Sequence, residues 1–306
     1  MGSPQSSPQK IAAIISRPNR PEVGEILVGL LDWLVQHGYK VIIDQESAKY
    51  TSGPEGVSQG TSKGVTQIVP RQQMASYPLA LVVVLGGDGT LLAAARVTAE
   101  IDVPLLGVNL GALGFLTEVP PEALYPMLDA IAEGKATVER RSLMRCELLR
   151  DGKSHGTYLV FNDAVVSKTA LARLNTYELF IDKVFVTSYR ADGVIIATPT
   201  GSTAYSLSAG GPVVTPGVQA LVITPVSPHS LTHRPLVVPD SSEIELLVRS
   251  EQELAYLSLD GQRGQDLRDG DRICCRRSEH EVQLFRTGNN FFQVLRTKLK
   301  WGERPV

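Results

Sequence analysis

The sequence predicts an α/β plus all-β protein: an N-terminal doubly wound parallel-sheet domain, then a β-sandwich, with the C-terminal tail packing back on the first domain. Three observations carry this. Up to about residue 139, apolar strand-like runs alternate with segments of helical period, the pattern of βαβ units and a parallel sheet. From Thr137 to Arg276 the runs become short, alternating or apolar, and turn residues separate them, as in a sandwich. Beyond Asn289 the helical period returns. The expected division is residues 1–139 with 285–306 for the α/β domain and 140–284 for the sandwich.

In order, Ile11–Ile15 reads as the first strand. Pro21 to His37 reads as a helix, because Val23, Ile26, Leu27, Leu30, Leu31 and Leu34 recur at helical spacing and Gly38 can end it. Val41–Ile43 is a second strand. Gln45 to Tyr77 is polar and aperiodic, and reads as a poorly ordered surface insertion, dispensable for folding. Leu81–Leu85 is uninterruptedly apolar, a strand buried on both faces. A helix opens at Leu91–Arg96. Pro104–Asn109 is another buried strand, and it runs into a second glycine-rich turn, Leu110 to Phe115. Pro121 to Glu133 is an amphipathic helix closed by Gly134. In the tail, Phe292, Leu295 and Leu299 are expected on the packed side.

Composition excludes several classes. The 306 residues are 43% hydrophobic and 20% charged with a net charge of −2, so nothing draws the chain to nucleic acid or an anionic membrane. The three cysteines, Cys146, Cys274 and Cys275, lack the spacing for a disulfide framework or a metal site and fit a reducing compartment. Met1 to Lys10 lacks an apolar signal core, and a cytoplasmic protein with no membrane span is expected. His229 and His233 have zinc-like spacing, but Pro228 and Pro235 argue against the helix such a pair needs.

Two stretches carry chemistry. Gly86-Gly87-Asp88-Gly89-Thr90 lies between strand and helix, so backbone N–H groups meet at the positive end of a helix dipole. Glycines at 86, 87 and 89 allow close approach of a ligand, and Thr90 completes the phosphate turn. Asp88 would repel phosphate. Its presence points to a proton acceptor or a metal ligand, against the plainer alternative of a helix cap. Placed on an exposed turn, it is expected to matter for turnover and not for folding. The second stretch, Asp192 to Pro212, empties a buried strand into small hydroxyl and glycine residues, suited to a polar ring or ribose. No stretch fits the dinucleotide fingerprint or the P-loop.

Together with Gly107 to Phe115, Phe161-Asn162-Asp163, Pro225 to Leu236 and Asp260-Gly261-Gln262, these stretches resemble the NAD kinase family over roughly residues 80 to 265. The resemblance implies transfer of the γ-phosphoryl group of ATP, or of polyphosphate, to the adenosine-ribose 2′-hydroxyl of NAD, giving NADP. A divalent cation, Mg²⁺, assists, and NAD binds in the crevice between the domains. By the same resemblance Asp88 is the proton acceptor, and Gly89 lies against the same ligand. Asn162 and Asp163 hold the adenosine part, and Phe115 packs near the nicotinamide half. Arg173, Arg190, Asp192 and Gln262 are further NAD contacts. Thr203, Ala204, Tyr205, Ser206, Leu207 and Ser208 line the adenine and ribose pocket. A homodimer or homotetramer is implied. Two rivals are a lipid kinase sharing the glycine motif and a non-catalytic NAD(P) sensor. The polar second stretch speaks against the first, and Asp88 against the second.

Overall fold

The computed structural model describes residues 10–50, 65–111, 113–168, 175–250, 255–288 and 291–301. The chain forms two units: residues up to Arg140 together with those from Val282 onward, and Arg141–Glu281.

In the first unit the strands are β1 (Ile11–Ser16), β2 (Lys40–Asp44), β3 (Val65–Val69), β4 (Leu79–Gly86) and β5 (Pro104–Asn109). They pair in parallel in the order β5-β4-β1-β2-β3. The helices are α1 (Glu22–Gln36), the single turn α2 (Gln45–Ala48), α3 (Asp88–Thr98) and α4 (Leu124–Ala132). One core joins Val23, Leu27, Leu30 and Leu34 of α1 and Leu124 and Leu128 of α4 to Ile14, Val83 and Leu106 of the sheet. Val82 and Val84, equally buried, alternate to the opposite face. A sheet covered on both faces explains why these strands read as continuous apolar runs. In this strand order the connections leave β1 and β4 in opposite directions, and open α/β sheets bind ligands at the carboxyl ends of strands at such a switch point. The glycine turn follows β4 there.

Gln45 to Tyr77 differs from the expectation of a dispensable insertion. Residues 51–64 of it lie outside the described residues. The rest is integral: Met74 is 0% exposed, and the Arg71 guanidinium reaches the buried Asp44 carboxylate, with Nε–Oδ2 at 2.8 Å. The period was unreadable because β3 is mostly exposed along its length.

The second unit is antiparallel. Its strands are β6 (Thr137–Arg150), β7 (Lys153–Val160), β8 (Asp163–Lys168), β9 (Asn175–Ile181), β10 (Val184–Ala191), β11 (Gly193–Ala197), β12 (Ala220–Val226), β13 (Leu236–Pro239), β14 (Ile244–Arg249), β15 (Ala255–Leu259), β16 (Arg263–Leu267) and β17 (Arg272–Arg286). One layer runs β10-β9-β14-β17, the other β13-β12-β11-β8-β15-β16. Tyr177, Leu179, Leu246 and Ile273 of the first layer share a core with Ala164, Val166, Val194, Ile196 and Leu257 of the second. The helical turn α5 (Tyr205–Ser208) follows β11. The cysteines are free.

The last residues of β17 return to the first unit, where Gln283 and Leu284 pair in parallel with Pro104 and Leu105 of β5. The tail helix α6 (Phe291–Leu299) follows. It buries Val294 and Leu295, whereas Phe292 is 54% exposed, so the packed face is rotated from the one expected. Phe291 makes the aromatic contact instead, 6.4 Å from the ring of Phe115.

Candidate active site

The first unit places Asp88 at the first helical position of α3, with Gly87 as the preceding cap. Thr90 and Leu91 donate their N–H groups to Gly87 O. The Asp88 side chain does not cap its own helix. It crosses to the second glycine-rich turn: Oδ2 accepts from Phe115 N (2.9 Å), and Oδ1 accepts from Leu116 N (3.2 Å), Thr117 N (3.0 Å) and Thr117 Oγ1 (2.9 Å). An ionised carboxylate has about four lone-pair sites. Oδ1 is saturated, and among the described residues Oδ2 keeps one site. Asp88 is therefore a half-buried clamp, which corrects the expectation of an exposed turn residue indifferent to folding.

Two glycines are required by close approach. A Cβ at Gly114 would lie 1.9 Å from Asp88 Oδ1, and one at Gly86 2.5 Å from Thr90 Oγ1. Asn109 completes the frame, with Oδ1 accepting from Gly111 N (2.7 Å) and Nδ2 donating to Thr117 O (3.1 Å). Gly89 is exposed at the head of α3.

The second unit holds a cavity of about 390 Å³ lined by Asn162, Asp163, Ala204, Tyr205, Asp260 and Gly261, with Val165, Ser167 and Ser258 beneath. Asp260 organises it. Its carboxylate accepts from three consecutive backbone N–H groups: Phe161 (3.1 Å), Asn162 (2.7 Å) and Asp163 (3.3 Å). Asp260 and Gly261 have φ of 50° and 62°, the paired left-handed conformation of an Asp-Gly hairpin turn between β15 and β16. Asp163 is 4% exposed. Burial first, and the neighbouring Asp260 charge second, push its carboxyl up to about 7, against a bond from the Tyr205 backbone that lowers it. Near neutral pH the side chain is thus both a donor and an acceptor.

The remaining expected contacts divide. Ala204 and Tyr205 face this cavity. Ser206 turns inward, 0% exposed and 2.9 Å from Thr224 Oγ1, and Thr203 Oγ1 donates back to Thr200 O (3.1 Å). Leu207, Ser208 and Gln262 lie outside the cavity lining. Arg190 is exposed on β10, and its carbonyl accepts from His229 N (2.9 Å). Asp192 pairs with Lys168 (2.8 Å). Arg173 lies outside the described residues. Sequence reasoning assigned no role to Asp260, Gly114, Thr117 or Asn109. Asn109, Gly114 and Asp260 lie in stretches that carry the resemblance, and Asp260-Gly261 also has the composition of a hairpin turn, but Thr117 carried no signal.

Comparison with known proteins finds similar chains along nearly the whole length. The profile of the ATP-NAD kinase N-terminal domain matches residues 12–136, and that of the ATP-NAD kinase C-terminal domain residues 161–287. A Koribacter versatilis protein named NAD kinase is 51% identical over 96% of this chain and 99% of its own length. Another of that name, from Geobacter sulfurreducens, is 42% identical over 96% of this chain and all of its own length. Among solved structures, yeast NADH kinase complexed with NADH superposes with a TM-score of 0.89 at 28% identity, covering 98% of this chain and 90% of the yeast chain. An Archaeoglobus fulgidus NAD kinase in complex with ATP gives 0.72 at 25% identity, over 95% of this chain and 98% of that one.

Proposed function

The chain belongs to the NAD kinase family, and we propose how its own residues divide the work of phosphorylating NAD with ATP. The adenosine-ribose 2′-hydroxyl attacks the γ-phosphorus, the bond to the ADP oxygen breaks, and the hydroxyl proton leaves to a base. The observation that carries the assignment is the carboxylate of Asp88. Three backbone N–H groups and one hydroxyl hold it still, and Oδ2 keeps one accepting site. A carboxylate is a weak base for an alcohol. It serves late in the transfer, when bonding to phosphorus has made the hydroxyl acidic. The positive end of the α3 dipole faces the charge on the phosphates.

Asn162 and Asp163 hold the adenosine part. Their backbone is fixed by Asp260, and an Asp163 carboxyl near its midpoint at neutral pH pairs with either a donor or an acceptor edge. Ala204 and Tyr205 supply the facing wall. Among the described residues no three His, Cys, Asp or Glu side chains gather to hold a metal. A Mg²⁺ brought with ATP would neutralise charge on the phosphates, and in the glycine turn Asp88 is the side chain that could hold it. Assembly as a homodimer or homotetramer fits β10, an edge strand exposing Val184, Phe185 and Val186. A cytoplasmic setting fits the chain's reduced cysteines.

The test is an end-point assay of purified protein with NAD⁺ or NADH against ATP or polyphosphate. NADP⁺ formed from NAD⁺ and ATP is expected. No phosphorylated dinucleotide from any pairing would overturn the assignment.

A further inference from the structure

Asp88 is aimed by the loop that grips it, so whatever fixes residues 115–117 fixes the base. That loop is fastened at three points, all within the first unit. At β5, Asn109 Nδ2 holds Thr117 O, and Asn109 N donates to Val119 O at 2.8 Å. At its front, the Phe115 ring meets Phe291 of α6. At its rear, Glu118 is 3% exposed and its carboxylate forms an ion pair with Arg286 Nη2. Arg286 in turn holds Glu139 through Nε, at 2.9 Å. Arg286 is the last residue of β17, so two of the three fastenings come from the C-terminal tail.

A buried ion pair is poor evidence for stability, because desolvation offsets its attraction and apolar side chains of the same volume often serve as well. What an Arg fork adds is geometry: a planar guanidinium reaching two carboxylates fixes both in direction. Here one of the two directly follows Thr117, whose N–H and hydroxyl make two of the three bonds to Asp88 Oδ1. Hydrogen bonds weaken steeply as their angle closes, so a sideways shift of Glu118 would loosen these first.

We propose that Arg286 is a positioning residue for phosphoryl transfer: through Glu118 it sets the 115–117 loop and thereby aims the Asp88 carboxylate. The proposal rests on the reading of Asp88 as the proton acceptor. Arg286 is one-tenth exposed and pairs with Glu118 and Glu139 rather than with Asp88, so its loss should reach turnover and spare dinucleotide binding.

The experiment uses the full chain with three variants: Glu118→Gln with Arg286→Met, which removes both buried charges together; Arg286→Lys, which keeps the charge but cannot span two carboxylates; and Asp88→Asn. Each is read by kcat and KM for NAD⁺ per folded molecule, and by amide exchange of the 113–119 segment. For the double variant a kcat about 10- to 100-fold lower is expected, the scale of an ångström-level misplacement, with KM within about threefold. Exchange of the 115–117 amides should quicken, and Arg286→Lys should fall between wild type and the double variant. Wild-type kcat per folded molecule in the double variant, or unchanged exchange at 115–117, overturns the proposal. If the double variant does not fold, Arg286→Lys with wild-type kcat and exchange overturns it equally. Normal turnover in Asp88→Asn would instead remove Asp88 from the mechanism, while the exchange data still decide whether Arg286 sets the loop.

Discussion

Replacing Asp88 by Asn should cost both turnover and stability, and the structure gives each a size. An Asn side chain offers one oxygen and one NH₂. With the oxygen in the Oδ1 place it keeps Leu116 N, Thr117 N and Thr117 Oγ1, and its NH₂ then meets the Phe115 N–H, donor against donor. The opposite orientation sacrifices three bonds to keep one. The better orientation loses one hydrogen bond to a charged acceptor and weakens three, which we put at about 2 kcal/mol for this half-buried group. For a chain of 306 residues that is a fall in Tm of roughly 3 °C. The sequence alone led to the opposite expectation, that folding would be indifferent. Losing the proton acceptor should lower kcat at least about 100-fold. NAD⁺ affinity should move less than about tenfold, or 1.4 kcal/mol, since the cavity lined by Asn162 and Asp163, proposed for the adenosine part, lies in the other unit and keeps all its residues. Steady-state rates, calorimetric NAD⁺ binding and thermal melts on one preparation decide it. Near-wild-type kcat refutes the role as base, and an unchanged Tm refutes the role as clamp.

Gly114→Ala should mimic Asp88→Asn, with kcat about 100-fold lower, because its Cβ would fall 1.9 Å from Asp88 Oδ1 and 2.7 Å from Thr117 Oγ1. Gly111→Ala, with its nearest neighbour at 3.9 Å, should be nearly silent, and equal rates for the two variants would contradict the clamp. Asp163 should tie stability to pH. Its folded pKa, about 7, lies above the value of 3.8 for an unperturbed aspartate, so the folded chain binds more protons between those values. Its contribution to stability is therefore present at low pH and lost as pH rises through about 7, and Asp163→Asn should remove that component from melts taken across the window. A wild-type pH dependence in the variant would refute the assignment. Met74→Ala should cost about 2–5 kcal/mol by chemical denaturation; a neutral result would return residues 65–77 to the status of a dispensable insertion.

Much of this architecture is local and was legible. Leu81–Leu85 reads as a doubly buried strand because both faces of a parallel sheet are covered, and the glycine turn after it shows in composition because only glycine admits Thr90 so close to residue 86. The change of period near Thr137 marks the passage to antiparallel sheets. The residues expected to meet NAD were legible as a motif. Which of them face a cavity was not: Tyr205 and Ser206 are neighbours in a polar run, and one lines the cavity while the other is buried against Thr224.

The sequence by itself determined the α/β part followed by antiparallel sheets, and the strand–turn–helix bearing Asp88; that Asp163 starts a strand was not legible, since Thr157 to Ser167 reads as one run. Tertiary structure alone decided what holds those groups. The Asp88 carboxylate is taken up by a loop near residue 116, the Phe161–Asp163 amides by Asp260 from the turn after the neighbouring strand β15, and the buried Glu118 by Arg286 of the tail. In the first two cases a carboxylate binds backbone N–H groups, and in the third Arg286 meets a distant acid. Every non-proline residue carries the same N–H, so no residue type can announce that its amide will be gripped. The tail's packed face and Met74 were hidden for a related reason: each is fixed by a partner distant in sequence, and neither repeats at an interval a local period could reveal.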